Sequence, residues 1–169
     1  MLFVVHIFMP SGLLFAQNGG KDKPCSQPEA SQFDFWVGDW NAEWINAKGE
    51  TQTGTNHVIK ILGSCVVEEN FEAPSLQFKG KSFSVYNAKN GKWQQTWVDN
   101  NGGYLDFTGG FEDGKMIFTR ETTAKDGSEI MQRMVWYNIS KEKFDWNWEL
   151  SPDKGKTWKL NWKIHYTRK

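Results

Sequence analysis

Two arginines stand where a strand would hold apolar side chains. Met116, Phe118 and Arg120 alternate along one run, and Met131, Arg133, Val135 and Tyr137 along another. A guanidinium buried alone among such neighbours is costly. It must reach the mouth of the fold, pair with an acid, or wait for an anionic ligand, whose carboxylate or phosphate its planar fork would fit. Trp93, Gln95 and Trp97 place one amide between two indoles on a single strand face. Tyr104, Trp146 and Trp148 add further large rings. Small-molecule pockets are built this way, mostly apolar with a few placed polar groups. The candidate ligand-binding set is therefore Trp93, Gln95, Trp97, Tyr104, Trp146 and Trp148 as wall, with Arg120 and Arg133 as anchors. A catalytic version of the same site would pair one arginine with an inward acid such as Asp106.

The other reactive side chains do not converge. The histidines are His6, His57 and His165. A metal site wants several ligands together, and no Cys/His spacing supplies them. A haem-ligating His would have to face inward, whereas alternation puts His165 on the polar face of its strand. No metal and no cofactor is expected. Glu68 and Glu69 are adjacent, so on a strand they point to opposite faces and form no acid/base dyad. No phosphate loop, nucleophile elbow or zincin helix motif occurs. Ser151-Pro-Asp153-Lys-Gly155-Lys-Thr157-Trp158 has the Asp-box pattern S-x-D-x-G-x-T-W. Its local physics is that of a turn, with Ser and Asp oxygens accepting backbone N–H groups and Gly supplying positive φ. A single good copy in 169 residues is too little for a multi-bladed propeller, so the motif is read as a hairpin stabiliser. Asn138-Ile139-Ser140 is a formal glycosylation sequon.

Composition narrows the class. A chain of 169 residues is one domain by default. Zero formal net charge argues against a nucleic-acid partner, which wants a basic face. Aromatics at 15%, with ten Trp, exclude a disordered chain. The apolar stretch over 1–16 reads as a secretory signal with a small residue at the cut, and 17–30 as a polar linker. That stretch is too short to span a bilayer comfortably, so no stable membrane span is expected in the mature chain. An exported protein, periplasmic or secreted, with only Cys25 and Cys65 points to one disulfide, the alternative being two separate thiols. The bond would fasten the leader to the sheet and contribute about 3–4 kcal/mol.

The elements that must position these side chains are legible from turn chemistry. Gln32 to Trp44, QFDFWVGDWNAEW, packs aromatic rings on both sides of Gly38. Trp40, Ala42 and Trp44 then recur at period two, the signature of one strand face. This predicts a short aromatic plug, a glycine bend and the first strand. Asn-Gly, Asp-Gly and related pairs punctuate the rest, supplying the positive φ of tight hairpins. Between them lie runs at 40–47, 53–62, 65–71, 81–86, 93–99, 104–108, 115–121, 129–138, 144–150 and 158–168, with a looser loop over 73–80. Short links force neighbouring strands to be antiparallel. About ten such strands make an up-and-down meander, which removes its edges by closing into a barrel. A two-sheet sandwich is the competing arrangement and would need longer crossovers. Alternation is clearest near the end, where Phe144, Trp146, Trp148 and Leu150 share one face, as do Trp158, Leu160, Trp162, Ile164 and Tyr166.

Phe33-Asp34-Phe35-Trp36-x-Gly38-x-Trp40, Gly63-x-Cys65-x-x-Glu68, Tyr86, Trp93, Trp97-Val98-Asp99 and the closing Tyr166-Thr167-Arg168-Lys169 together resemble a group of uncharacterised exported bacterial proteins similar to the domain of unknown function 1579 family, lipocalin-like and placed among the calycins. The resemblance runs from about Cys25 to the end. It implies an antiparallel barrel with an aromatic-lined interior over 31–169, and no settled activity, so no catalytic residue is carried over. Gly38-Asp39-Trp40 loosely matches the lipocalin glycine–x–tryptophan.

Three functions remain in view. An exported barrel of this size can hold one small apolar or amphipathic ligand. A barrel filled by its own tryptophans would be a structural or interaction domain. A barrel enzyme, or a haem binder, comes last. An enclosed cavity with an unpaired buried arginine would favour the first, paired arginines without a cavity the second, and an inward acid in a perturbed environment the enzyme.

Overall fold

The alternation of large rings and polar residues after Gly38 produces strand β1 (Gly38–Ile45), with Trp40, Ala42 and Trp44 all buried. The computed structural model describes residues 23–169. Residues 1–16, expected to be a signal and including His6, and the first part of the expected linker, 17–22, lie outside the described residues. Nine further strands follow: β2 (Thr51–Ile61), β3 (Val66–Ala73), β4 (Phe78–Asn87), β5 (Lys92–Asp99), β6 (Tyr104–Glu112), β7 (Lys115–Thr123), β8 (Glu129–Tyr137), β9 (Lys143–Ser151) and β10 (Lys159–Arg168). Each pairs antiparallel with the next, and β1 closes on β10 through Trp40–Arg168 and Ala42–Tyr166. The fold is an all-β, up-and-down, ten-stranded closed barrel, with no sheet edge left in the meander.

The aromatic plug forms as two short turns of 3-10 helix, Pro28–Ser31 and Asp34–Trp36. The linker therefore gives way to ordered turn at Pro28, inside the range expected for it. Phe33 and Trp36 are buried at one end of the barrel. The Phe33 ring meets Trp93, Phe118 and Trp136 at centroid distances of 5.1, 5.6 and 5.4 Å. Edge and tilted contacts of this kind add to the area that such rings bury. Cys25 and Cys65 form the disulfide, which ties the segment before the plug to the β2–β3 turn.

Two details depart from the pattern of alternation. The looser loop over 73–80 is shorter than expected, because a turn at Pro74–Leu76 leads into β4 at Phe78. The face shared by Trp158, Leu160 and Trp162 does not hold. A register shift lies between Leu160 and Trp162. It leaves Leu160 opposite Glu149 and half exposed, while Trp162 pairs with Trp148 on the inner face. A bulge that inserts one residue reverses the sidedness of everything before it. The Asp-box is a hairpin stabiliser, as expected: Asp153 accepts from Thr157 N and Oγ1 at 2.8 and 2.6 Å, and Ser151 Oγ accepts from Gly155 N at 2.8 Å. The Thr157 hydroxyl, then the Thr157 N–H and the Ser151 hydroxyl, hold the Asp153 carboxyl down at about 2.

Candidate functional site

Period two in β3 puts Val67, Glu69, Phe71 and Ala73 on the inner face, and all four are buried. Glu68 points outward and pairs with Lys81 at 3.2 Å. The adjacent glutamates thus face opposite ways, and the inward one brings a carboxylate into the barrel. Across the sheet, Asn56 of β2 donates from Nδ2 to Glu69 Oε1 at 2.7 Å, and Ser82 of β4 donates from Oγ to Oε2 at 2.7 Å. Burial pushes the Glu69 carboxyl up to about 7, against the opposing pull of Ser82 and Asn56. Tyr166 of β10 faces the same region; burial, and then the Glu69 charge, raise its hydroxyl well above the usual range.

Glu69 borders a cavity of about 200 Å³. Trp36 of the plug lies at its inner end. Indoles of Trp97, Trp136, Trp146, Trp148 and Trp162 line it, with Phe71, Phe78, Leu105, Phe107, Met134, Ile164 and Tyr166. Trp97, Trp148, Trp162, Phe78 and Leu105 are only partly buried and stand at the strand ends away from the plug, where the cavity meets solvent. The rings are locked edge to face: Trp146 against Trp162 at 5.8 Å, Phe107 against Trp148 at 5.7 Å and Phe71 against Trp162 at 6.0 Å. Trp136, Trp146, Trp148 and Trp162 come from β8–β10, the Asn56–Glu69–Ser82 strip lies on β2–β4, and Trp97 of β5 stands beside that strip, opposite Ser82 in the ladder. Asp99 is the second carboxylate that lines the cavity. Burial works against its charge, but N–H donors from Gly103, Trp97 and Asn101 outweigh it and hold the carboxyl below the usual range. No Lys, Arg or His of the described residues lines the cavity.

Of the candidate wall residues, Trp97, Trp146 and Trp148 line this cavity. Trp93 lies deeper, at the plug, where its Nε1 donates to Gln32 Oε1 at 3.1 Å. Gln95 is buried on the inner face of β5 between Trp93 and Trp97 but does not line this cavity; it donates from Nε2 to Ser84 Oγ at 2.9 Å. Tyr104 is corrected outright: Leu105 and Phe107 take the inner face of β6, which turns Tyr104 out, paired with Val98 and 65% exposed. Alternation likewise turns Asp106 outward, so it is no inward acid; its side chain is 73% exposed.

Neither arginine is an anchor in the cavity. Met134 and Trp136 take the inner face of β8, so Arg133 lies outside the barrel. There its Nε donates to Glu149 Oε2 at 2.5 Å, and its guanidinium covers the Trp158 ring at 4.1 Å. Arg120 sits where β6 and β7 part, since their pairing extends only from Thr108–Thr119 to Glu112–Lys115. It reaches Gln132 Oε1 at 3.3 Å and Asp106 Oδ1 at 3.9 Å, beside the Phe107 ring, and its Nε has no hydrogen-bond partner among the described residues. It does not line the cavity. Both other described histidines face outward, each with Nδ1 on a neighbouring aspartate: His57 on Asp39 at 2.7 Å and His165 on Asp145 at 2.8 Å. Among the described residues no group of three or more His, Cys, Asp or Glu is placed to hold a metal ion, and no helix is long and apolar enough to cross a membrane.

The residue that sequence reasoning missed is Glu69. Its signal was present, because Val67-x-Glu69-x-Phe71-x-Ala73 sets one acid in an otherwise apolar face. No protein-family model matches the chain, and no curated protein matches it.

Proposed function

We propose that this chain is an exported, lipocalin-like binding barrel, similar to the domain of unknown function 1579 family, that carries a small apolar or amphipathic molecule. The observation that carries the reading is the cavity itself. A barrel filled by its own side chains leaves no room for a ligand, whereas this one keeps about 200 Å³ among its indoles. An apolar space of about 150 Å³ already accepts benzene. The disulfide supports export, since such bonds persist in oxidising compartments.

Native mass spectrometry of the protein purified gently from its own host tests this. A co-purifying small mass, displaced by solvent exchange and accompanied by a change in tryptophan fluorescence, is expected. A bare mass, with no fluorescence response to a panel of small apolar probes, would return the chain to the filled-barrel reading.

Glu69 favours a second reading, a barrel enzyme that moves a proton. An acid raised to about 7 beside a cavity is suited to general acid/base work. Deuterium exchange from solvent into a bound carbon acid, lost in Glu69→Gln, would select it. Exchange at the uncatalysed rate in both proteins leaves simple binding.

A further inference from the structure

The ligand's chemistry follows from what the cavity contains and what it omits, given that the barrel binds a ligand at all. Glu69 is buried, at 7% exposure, and its two close partners, Asn56 and Ser82, are neutral. Lys81, the nearest cation along β4, is turned outward and engaged with Glu68. Lys60, on the inner side of β2, is paired with Asp34 of the plug, Arg120 reaches Gln132 and Asp106, and Arg133 is committed to Glu149 on the outer surface. A buried carboxylate with hydrogen bonds but no counter-charge is unfavourable until something positive enters beside it. The cavity is lined by indole rings, whose negative π-density attracts cations, tryptophan most strongly. Asp99, the other ionisable group near the mouth, adds negative charge.

We infer that the cavity takes a small organic ammonium, its cationic head at Glu69 and its hydrocarbon or aromatic body against Trp97, Trp146, Trp148 and Trp162. Fatty acids and phosphates are disfavoured by the same arrangement, because they would bring a second negative charge to Glu69. The volume limits the guest to about one ring with a short arm.

Binding should strengthen as pH rises, since only the ionised carboxylate pairs with ammonium. The groups that face Glu69 do not blur this. Tyr166 on β10 is pushed upward, out of the working range, Asn56 and Ser82 do not titrate, and Asp99 on β5 stays ionised.

Three probes of one shape separate the possibilities: 2-phenylethylamine, the neutral 2-phenylethanol and anionic phenylacetate. Each is titrated calorimetrically into the intact, oxidised protein and into Glu69→Gln, with the amine series repeated from mildly acidic to mildly basic pH. The amine is expected to bind at least about tenfold tighter than the alcohol, and phenylacetate weakest. Glu69→Gln should bring the amine down to the alcohol's affinity. In the wild type, amine affinity should rise with pH while the alcohol's stays level. The pH series needs no variant, so it decides the question even if Glu69→Gln folds poorly. Alcohol or phenylacetate binding as tightly as the amine would overturn the ammonium inference and leave the binding barrel standing. Binding of none of the three would overturn both.

Discussion

The Arg168 guanidinium lies 4.2 Å from the centre of the Trp40 ring, joining the last strand to the first. Its Nε donates to Lys141 O at 2.8 Å and its Nη1 to Val37 O at 3.2 Å. Gly38 leaves room for it, since a Cβ there would meet Nη1 at 2.1 Å, on a backbone held at φ +138°. Glycine, tryptophan and arginine at opposite ends of the chain therefore form one contact at the seam that closes the barrel. Arg168→Ala removes the stack and both charged hydrogen bonds and should cost about 2–3 kcal/mol. Arg168→Lys keeps the charge but loses the fork and should recover only part of that. Denaturant midpoints of the three proteins check this; a loss within error for Arg168→Ala would make the contact incidental to closure.

The Glu69 carboxyl predicts a stability that depends on pH in the unusual direction. The folded protein holds this proton up to about 7, whereas the unfolded chain releases it near the ordinary 4.5. The folded state thus binds more protons across that window. Stability from this group is fully present below 4.5 and is lost as pH rises through about 7, by roughly 3 kcal/mol in all. Glu69→Gln has no proton to lose. The variant should therefore gain on the wild type progressively between pH 4.5 and 7. Urea unfolding of both proteins at several pH values measures that difference, and a constant gap would mean that the site is wetter than its burial implies.

Much of this architecture was legible because turn chemistry and period-two alternation are local. Gly and Asn or Asp at the hairpins marked the strands, and a meander with such short links could do little but close. The site was less legible, for reasons that are also physical. Sidedness is relative, so Arg133 could be read as inward until Met134 and Trp136 are seen to take the lumen. One inserted residue between Leu160 and Trp162 then undoes alternation for Trp158 and Leu160. Arg120 is inward by parity but sits where two strands separate, and only the ladder's length shows that. Glu69 was set aside as half of a pair with no shared face. The same argument, carried one step further, identifies it as an acid among apolar neighbours.

Trp97 lies across Gly80, and that contact gives the sharpest test of the cavity wall. The two residues are on neighbouring strands, Gly80 opposite Asp99 and Trp97 opposite Ser82. A Cβ at position 80 would stand 2.0 Å from Trp97 Cζ2 and 2.3 Å from Cη2, far inside contact distance. The ring is held there by its Nε1, which donates to Asp99 Oδ2 at 3.1 Å. Gly80 has no positive φ, so alanine is tolerated by the backbone and the effect is on the ring alone. Gly80→Ala should swing Trp97 off the wall, at an overpacking cost of about 1–3 kcal/mol. Affinity for neutral 2-phenylethanol should fall about tenfold, since a face of the pocket is lost. Gly110→Ala on β6 serves as the control, because a Cβ there meets nothing within 4 Å. Tryptophan fluorescence and calorimetry on both variants read the outcome. Unchanged affinity in Gly80→Ala, with Trp97 demonstrably moved, would place the ligand elsewhere than against this wall.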